Sequence, residues 1–195
     1  LLDELARGFA ADVDAATQKR FDNGHRAEAL ARPLAEEFIG AELYPVTGSE
    51  GKLSASFDGL TLDESTGFEH KAMNDDLRAC IVDEDSGAAL PLHHRVQMEQ
   101  QLMVSGAERI LFMTSAWTPD GDLLEERHCW YYSEPALRDK IIAGWRQFER
   151  DLAEYVPTAA ADPAPVGKAP ETLPALRIEV TGAVTASNLA EFRET

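Results

Sequence analysis

Two short runs carry residue types that can do chemistry together: Ser56-Phe57-Asp58-Gly59, and Gly67-Phe68-Glu69-His70-Lys71. In a strand, residues two apart share a face, so Glu69 and Lys71 point one way while Phe68, His70 and Ala72 point the other. Asp58 falls on the preceding strand, and the loop between the two strands is short enough to bring it near Glu69. Two carboxylates and an ammonium would then converge on one face of a sheet. A hard divalent cation such as Mg²⁺ takes such an oxygen ligand set. The small residues Ser54, Ala55 and Ser56 leave room for a bulky partner beside it. The same spacing also fits an ordinary Glu/Lys pair on a surface hairpin.

Two helical patterns bear on the same chemistry. Glu28 lies on the side of its helix that carries Ala31 and Ala35, where a charge needs a partner or a metal. The alternative is a surface pair with Arg32, four residues on. On a later helix, His93, His94, Gln97, Gln100, Gln101 and Val104 share one side. Neutral hydrogen-bonding groups suit a helix that lines a site or a nucleic-acid backbone. A polar outer face that merely lacks charge fits as well.

The elements that must position these groups are legible as periodicities. Helical stretches cover Leu2–Ala16 and Phe21–Ile39, with Asp22 or Asn23 expected to cap the second and Gly40 to stop it. Strand-like alternation follows at Leu53–Leu62 and Gly67–Ala72, joined by the hairpin loop Asp63-Glu64-Ser65-Thr66. After an acidic loop at 83–87, Pro91 opens a helix to Val104 that Gly106 stops. Strands at Arg109–Trp117 and Leu124–Tyr132 flank a turn at 119–122. Ser133 is placed to cap a helix over Glu134–Tyr155, with Leu137, Ile141, Ile142, Trp145, Phe148 and Leu152 on one stripe. The order is helices, three strands, helix, two strands, helix. It predicts an α/β (α+β) class with a central mixed sheet flanked by helices. Residues 1–155 are expected to form one domain and 156–174 a Pro/Ala-rich linker. The tail 175–195 carries a strand-like Leu176–Thr181 and a helical Ala186–Arg193, and is expected to begin a further region.

Composition narrows the functions. The 195 residues include 35 acidic and 18 basic, a net charge of −17, which argues against a nonspecific coat for nucleic acid. It leaves open a nuclease that gathers carboxylates for metal and confines its cations to a groove, with Arg32, Lys52, Arg78, Arg95 and Arg109 as candidates. A hydrophobic fraction of 44% is too high for a disordered chain. No apolar run reaches the roughly 20 residues of a membrane span, so no membrane partner is expected. Cys80 and Cys129 are the two cysteines, too few for an all-cysteine metal site and expected to be small buried residues. His128 is expected to be structural, and Trp117, Trp130, Tyr131 and Tyr132 to be core strand residues. The chain opens on Leu1, so a natural N-terminus is expected to precede it.

Four runs in order carry a resemblance: Gly24-His25-Arg26-Ala27-Glu28-Ala29-Leu30-Ala31-Arg32, Ser56-Phe57-Asp58-Gly59, Glu69-His70-Lys71, and Gln97-Met98-Glu99-Gln100-Gln101-Leu102-Met103-Val104-Ser105-Gly106. Over roughly residues 20–155 they resemble the YqaJ-like viral recombinases, the lambda-exonuclease branch of the PD-(D/E)XK nucleases. The resemblance implies a restriction-endonuclease-like core. It implies that Asp58, Glu69, the backbone carbonyl of His70 and Glu28 hold Mg²⁺, with Mn²⁺ as a substitute. Lys71 would position the attacking water, and Gln97 would stand near the scissile phosphate. The activity implied is 5′→3′ digestion of linear double-stranded DNA from its ends, in phage-type recombination. The implied partners are a single-strand annealing protein and further copies of the chain in a trimeric ring. The implied place is the cytoplasm of a bacterial host, as a phage or prophage protein. The family's N-terminal segment, with a Ser and a phosphate-binding Arg, has no match here, nor does the tail from Val156. Rival readings are an endonuclease or single-strand nuclease of the same superfamily, a noncatalytic DNA-binding scaffold, and a hydrolase of small phosphoesters.

Overall fold

The structure, a computed structural model, describes residues 14–156. The linker, the Leu176–Thr181 strand, the terminal helix and most of the Leu2–Ala16 stretch lie outside the described residues. Helix α1 runs unbroken over Ala15–Ile39. Its cap is Asp14, whose Oδ1 accepts the Thr17 N–H at 2.7 Å. Asp22 does not cap a second helix as expected: its carboxylate accepts from Gln18 one turn earlier, at 2.9 Å. Asn23 and Gly24 lie within the helix, where the turns on either side hold them. Gly40 ends it as expected in the left-handed region, φ 77°, with its N–H on Glu36 O at 2.8 Å.

Five strands follow: β1 Leu43–Glu50, β2 Leu53–Thr61, β3 Thr66–Ala72, β4 Arg109–Trp117 and β5 Leu123–Tyr132. They lie side by side in chain order, antiparallel throughout except for the parallel pair β3–β4. That parallel step requires a crossover, and the chain between β3 and β4 provides it. It comprises helix α2, Asp75–Cys80, a short 3₁₀ turn at Ser86–Ala89, and helix α3, Leu92–Ser105. Asn74 caps α2 by accepting the Leu77 N–H at 2.8 Å. Neither α2 nor the 3₁₀ turn is evident in the sequence, being shorter than a detectable period.

Helices cover both faces of this mixed sheet. On one, Ala31 and Ala35 of α1 let the helix approach Leu43, Phe68, Leu111 and Met113. On the other, Met98 and Leu102 of α3 pack with Phe57, Leu60, Ile110, Phe112 and Tyr131. Cys129 is buried there, its thiol pushed up to about 12 by burial, which suits a packing role. Trp117 and Trp130 are half-buried against the first layer and Tyr131 is fully buried, whereas Tyr132 is exposed. No helix among the described residues is long and apolar enough to cross a membrane.

Helix α4, Pro135–Glu154, packs on α3 and buries no residue fully. Its apolar stripe is half-buried at best, and Trp145 is 40% exposed. Ser133 does not cap it as expected. The Ser133 hydroxyl instead donates to Glu99 Oε1 at 2.8 Å. Glu99, 0% exposed, also accepts from Tyr131 Oη, Glu134 N and Arg138 Nε at 2.7–2.8 Å. One buried carboxylate on α3 thus holds the start of α4, accepting the N–H of its N-cap residue Glu134.

Candidate active site

The site lies where β2 and β3 part. Their pairing covers only Gly59 with Phe68 and Leu60 with Gly67. On the other edge of β2, Tyr44 pairs with Leu60 but Val46 with Phe57, so Asp58 and Gly59 together stand opposite Pro45. Proline has no N–H to give the ladder, and a bulge at that point turns the strand. Gly59 also has no room for a side chain: an added Cβ would lie 2.8 Å from Leu43 Cβ.

The separation leaves backbone groups of both strands without ladder partners, and side chains take them. Asp58 Oδ2 accepts the His70 N–H at 2.7 Å. Arg32 Nε donates to the Asp58 carbonyl at 3.0 Å. From α3, Gln100 Nε2 donates to Ser54 O at 2.7 Å and Gln101 Nε2 to Ser56 O at 2.8 Å.

Glu69 occupies the gap and is 1% exposed. Its Oε1 accepts from the Lys71 ammonium, which shares its strand face, and from Gln97 Nε2 at 2.7 Å. Its Oε2 accepts from Gln101 Nε2 at 2.6 Å. Burial raises the pKa of Glu69, and the Asp58 carboxylate raises it further, against Lys71 and Gln101. Burial likewise raises Asp58; the His70 N–H pulls it down, Glu28 pushes it up, and Lys71 and Arg32 lower it. Asp58 therefore sits close enough to oppose the ionisation of Glu69, and the Lys71 charge favours the ionised form of both.

The structure thus brings together Asp58, Glu69, Lys71 and Gln97. Glu28 points toward Arg32, Oε1 to Nη2 at 2.9 Å, and acts on Asp58 as a nearby negative charge. The ring of His70 turns to the opposite face, where Nε2 meets Ser115 Oγ at 2.7 Å. Ser115 Oγ already accepts from Trp117 Nε1 at 2.6 Å, so its own hydrogen is free for His70. Burial, with the Lys71 charge, pushes the His70 pKa down to about 4, matching a neutral acceptor ring.

Whether this set suits a divalent cation can be judged from its oxygens. Among the described residues no three acids, histidines or cysteines meet as a cluster. Glu69 is a buried carboxylate and Asp58 a half-buried one whose charge raises the Glu69 pKa, and a cation would relieve that repulsion. Mg²⁺ is commonly held by one or two carboxylates, with water and substrate phosphate completing its shell. The pair fits that pattern, and Glu28, bonded to Arg32 through Oε1, is a third carboxylate near Asp58.

Sequence reasoning placed Gln101 and Gln100 on the right side of α3 without assigning them to β2 and Glu69; their four- and three-residue spacing from Gln97 is the signal. The five cations proposed for a groove are each engaged within the chain: Arg32 with Glu28, Lys52 with Glu149, Arg78 with Glu125, Arg95 with Glu134, and Arg109 over the Trp130 ring.

No family model matches this chain, and no curated protein sequence does. Solved structures do. An alkaline exonuclease from Laribacter hongkongensis, LHK-Exo, aligns with a TM-score of 0.57 at 19% identity, covering 78% of this chain and 75% of its own. Its complex with dAMP gives the same TM-score and coverage at 18% identity. A phage-related exonuclease from Haemophilus somnus aligns at TM-score 0.52 and 13% identity, covering 78% of this chain and 81% of its own. The five-stranded mixed sheet with its flanking helices is the α/β architecture expected from the sequence, and the chain shares this fold with those exonuclease structures.

Proposed function

We propose that this chain is a Mg²⁺-dependent deoxyribonuclease that digests linear double-stranded DNA from its ends, in the 5′→3′ direction. The observation that carries the reading is the pairing of buried Glu69 with half-buried Asp58, beside Lys71, in the gap between β2 and β3. Holding a second carboxylate against a buried one is costly for folding alone, so the pair favours a cationic occupant. The fold shared with exonucleases supports the reaction class.

In this reading Asp58 and Glu69, with the His70 carbonyl, supply oxygens to the metal, and Mn²⁺ can replace Mg²⁺. When bound, the metal lowers the pKa of a water and neutralises charge on the scissile phosphate. Gln97 fixes the Glu69 carboxylate that faces that water. The Lys71 ammonium, beside Glu69, would orient that water toward phosphorus. The same positive charge steadies the negative charge that builds on the phosphate oxygens. Arg32 holds the β2 carbonyl of Asp58 and thereby the base of that side chain. Glu28, bonded to Arg32 through Oε1 and close enough to act on Asp58, would be the third carboxylate to hold the metal. A ring of identical subunits and a single-strand annealing protein complete the reading.

The test is digestion of end-labelled linear duplex and covalently closed circles, with Mg²⁺ or excess chelator. Progressive loss of the linear substrate only, starting from the 5′ end, is expected with Mg²⁺ alone. Cutting of closed circles would favour an endonuclease, full activity in chelator would remove the metal, and no cleavage with any divalent cation would leave a noncatalytic scaffold.

A further inference from the structure

We propose that Gln101 is a positioning residue that sets the separation of the two metal-binding carboxylates; the inference rests on the nuclease reading above and deepens it. Gln101 is 1% exposed, and its single amide nitrogen touches both walls of the gap. Nε2 donates one hydrogen to Glu69 Oε2 on β3, at 2.6 Å, and the other to Ser56 O on β2, at 2.8 Å. Both neighbours only accept, so the amide cannot be turned round without losing both bonds. Its Oε1 is buried with no hydrogen-bond partner. An unpaired buried acceptor opposes folding, so the amide is held here against a local cost, by the two bonds its nitrogen makes.

Those bonds span what the backbone does not. Pairing between β2 and β3 stops at Gly59 and Phe68, and Asp58 and Glu69 lie just beyond that point. The Asp58 Oδ2 bond to the His70 N–H crosses the gap from the strand side. Gln101 crosses it from the helix side, because α3 is anchored in the core by Met98, three residues before it, and by Leu102, the next residue. Gln97 also holds Glu69, yet the structure gives it no bond to β2. Gln101 alone among the described residues is hydrogen-bonded to both Glu69 and the β2 backbone. The separation of the two carboxylates is therefore set on the helix side by the reach of one glutamine, with the Asp58–His70 bond setting it on the strand side.

The cation that feels this most is the one with the stricter geometry. Mg²⁺ requires a near-octahedral shell at short distance, whereas Ca²⁺ accepts variable ligand number and longer bonds. Loosening the gap should weaken Mg²⁺ more than Ca²⁺. The experiment is calorimetric titration of Mg²⁺, Mn²⁺ and Ca²⁺ into the wild-type chain, Gln101→Met and Gln101→Asn, with thermal melts of each. Methionine keeps the length and volume without donors; asparagine keeps the donors one methylene short. Gln101→Met should bind Mg²⁺ and Mn²⁺ about 10–100-fold more weakly, the scale for losing an outer-shell hydrogen bond. Ca²⁺ should weaken less, and saturating Mg²⁺ should restore most of the cleavage rate. Asparagine should fall between methionine and wild type, and it serves where methionine does not give a cooperative melt. Wild-type Mg²⁺ affinity in both variants overturns the proposal. So does an equal loss for Mg²⁺ and Ca²⁺ that tracks a lowered melting temperature, the mark of general loosening. A wild-type chain that binds no divalent cation overturns the nuclease reading along with it.

Discussion

The two edges of β3 are built on opposite terms. Toward β4, every residue from Thr66 to Ala72 has a partner in register, from Arg109 to Ser115. Toward β2, pairing lasts for two positions and stops. The paired edge leaves backbone polar groups satisfied by backbone, so its side chains are free to pack: Phe68 lies against Leu111, and both are buried. The parted edge leaves Ser54, Ser56, Asp58 and His70 backbone groups to be met by Gln100, Gln101, Arg32 and Asp58. A strand edge released from its ladder becomes a place where polar side chains can be concentrated, because each gains a backbone partner that secures it.

Substitutions on the two edges should separate stability from chemistry. Asp58→Ala should have the largest effect, lowering cleavage by about 10³-fold or more by removing a metal oxygen and the acceptor for the His70 N–H. Calorimetry should show the metal site lost while a folded melt remains. Leu111→Ala, across the paired edge, should reduce unfolding free energy by about 2–5 kcal/mol in a denaturant titration and leave the cleavage rate of the folded fraction near wild type. An activity loss greater than the loss of folded protein would blur the division. Lys71→Ala should lower cleavage by about 10²-fold at saturating Mg²⁺ while DNA and metal affinity persist, measured by single-turnover kinetics and equilibrium binding. Cleavage at the wild-type rate would assign Lys71 to a simple ion pair.

The smallest effect is expected far from the gap, on β5. His128 Nδ1 lies 2.6 Å from Glu126 Oε1, its Nε2 faces Glu84 at 3.8 Å, and its ring lies 4.0 Å from Phe38. The Glu126 bond raises its pKa above the ordinary 6.5, burial opposes, and the Glu126 and Glu84 charges add to the rise. A raised histidine stabilises the fold fully below pH 6.5 and loses that contribution as pH climbs through the folded value. The stability difference between wild type and His128→Gln should therefore shrink from pH 6 upward. A difference that grows with pH would reverse the sign.

The sequence carried more of this site than of its frame. Asp58, Glu69 and Lys71 were legible because a two-residue period and a short loop dictate which side chains can meet. Strand β4 was legible to its ends, Arg109–Trp117, as a long apolar run after a glycine stop. The bulge opposite Pro45 was not, since it depends on which strands pair and in what register. The unbroken α1 was missed because Asp22 and Asn23 have the residue types of a cap while Asp22 bonds back along its own helix. Ser133 misled for a related reason: its acceptor, Glu99, is 34 residues away. Local propensity reads what neighbours in the chain can do, and Glu99 acts only on residues brought to it by the fold.

Glu99 also gives acid a point of entry. Burial alone would raise its pKa, but the Glu134 N–H, Ser133, Arg138 and Tyr131 together hold it below the ordinary 4.5. Its stabilising charge is complete above that value and disappears as pH falls through the folded one. Protonation would release the start of α4, a helix with no fully buried side chain to keep it in place. The first structure surrendered on acidification should thus be the outermost helix, with the sheet and the gap it shelters still standing.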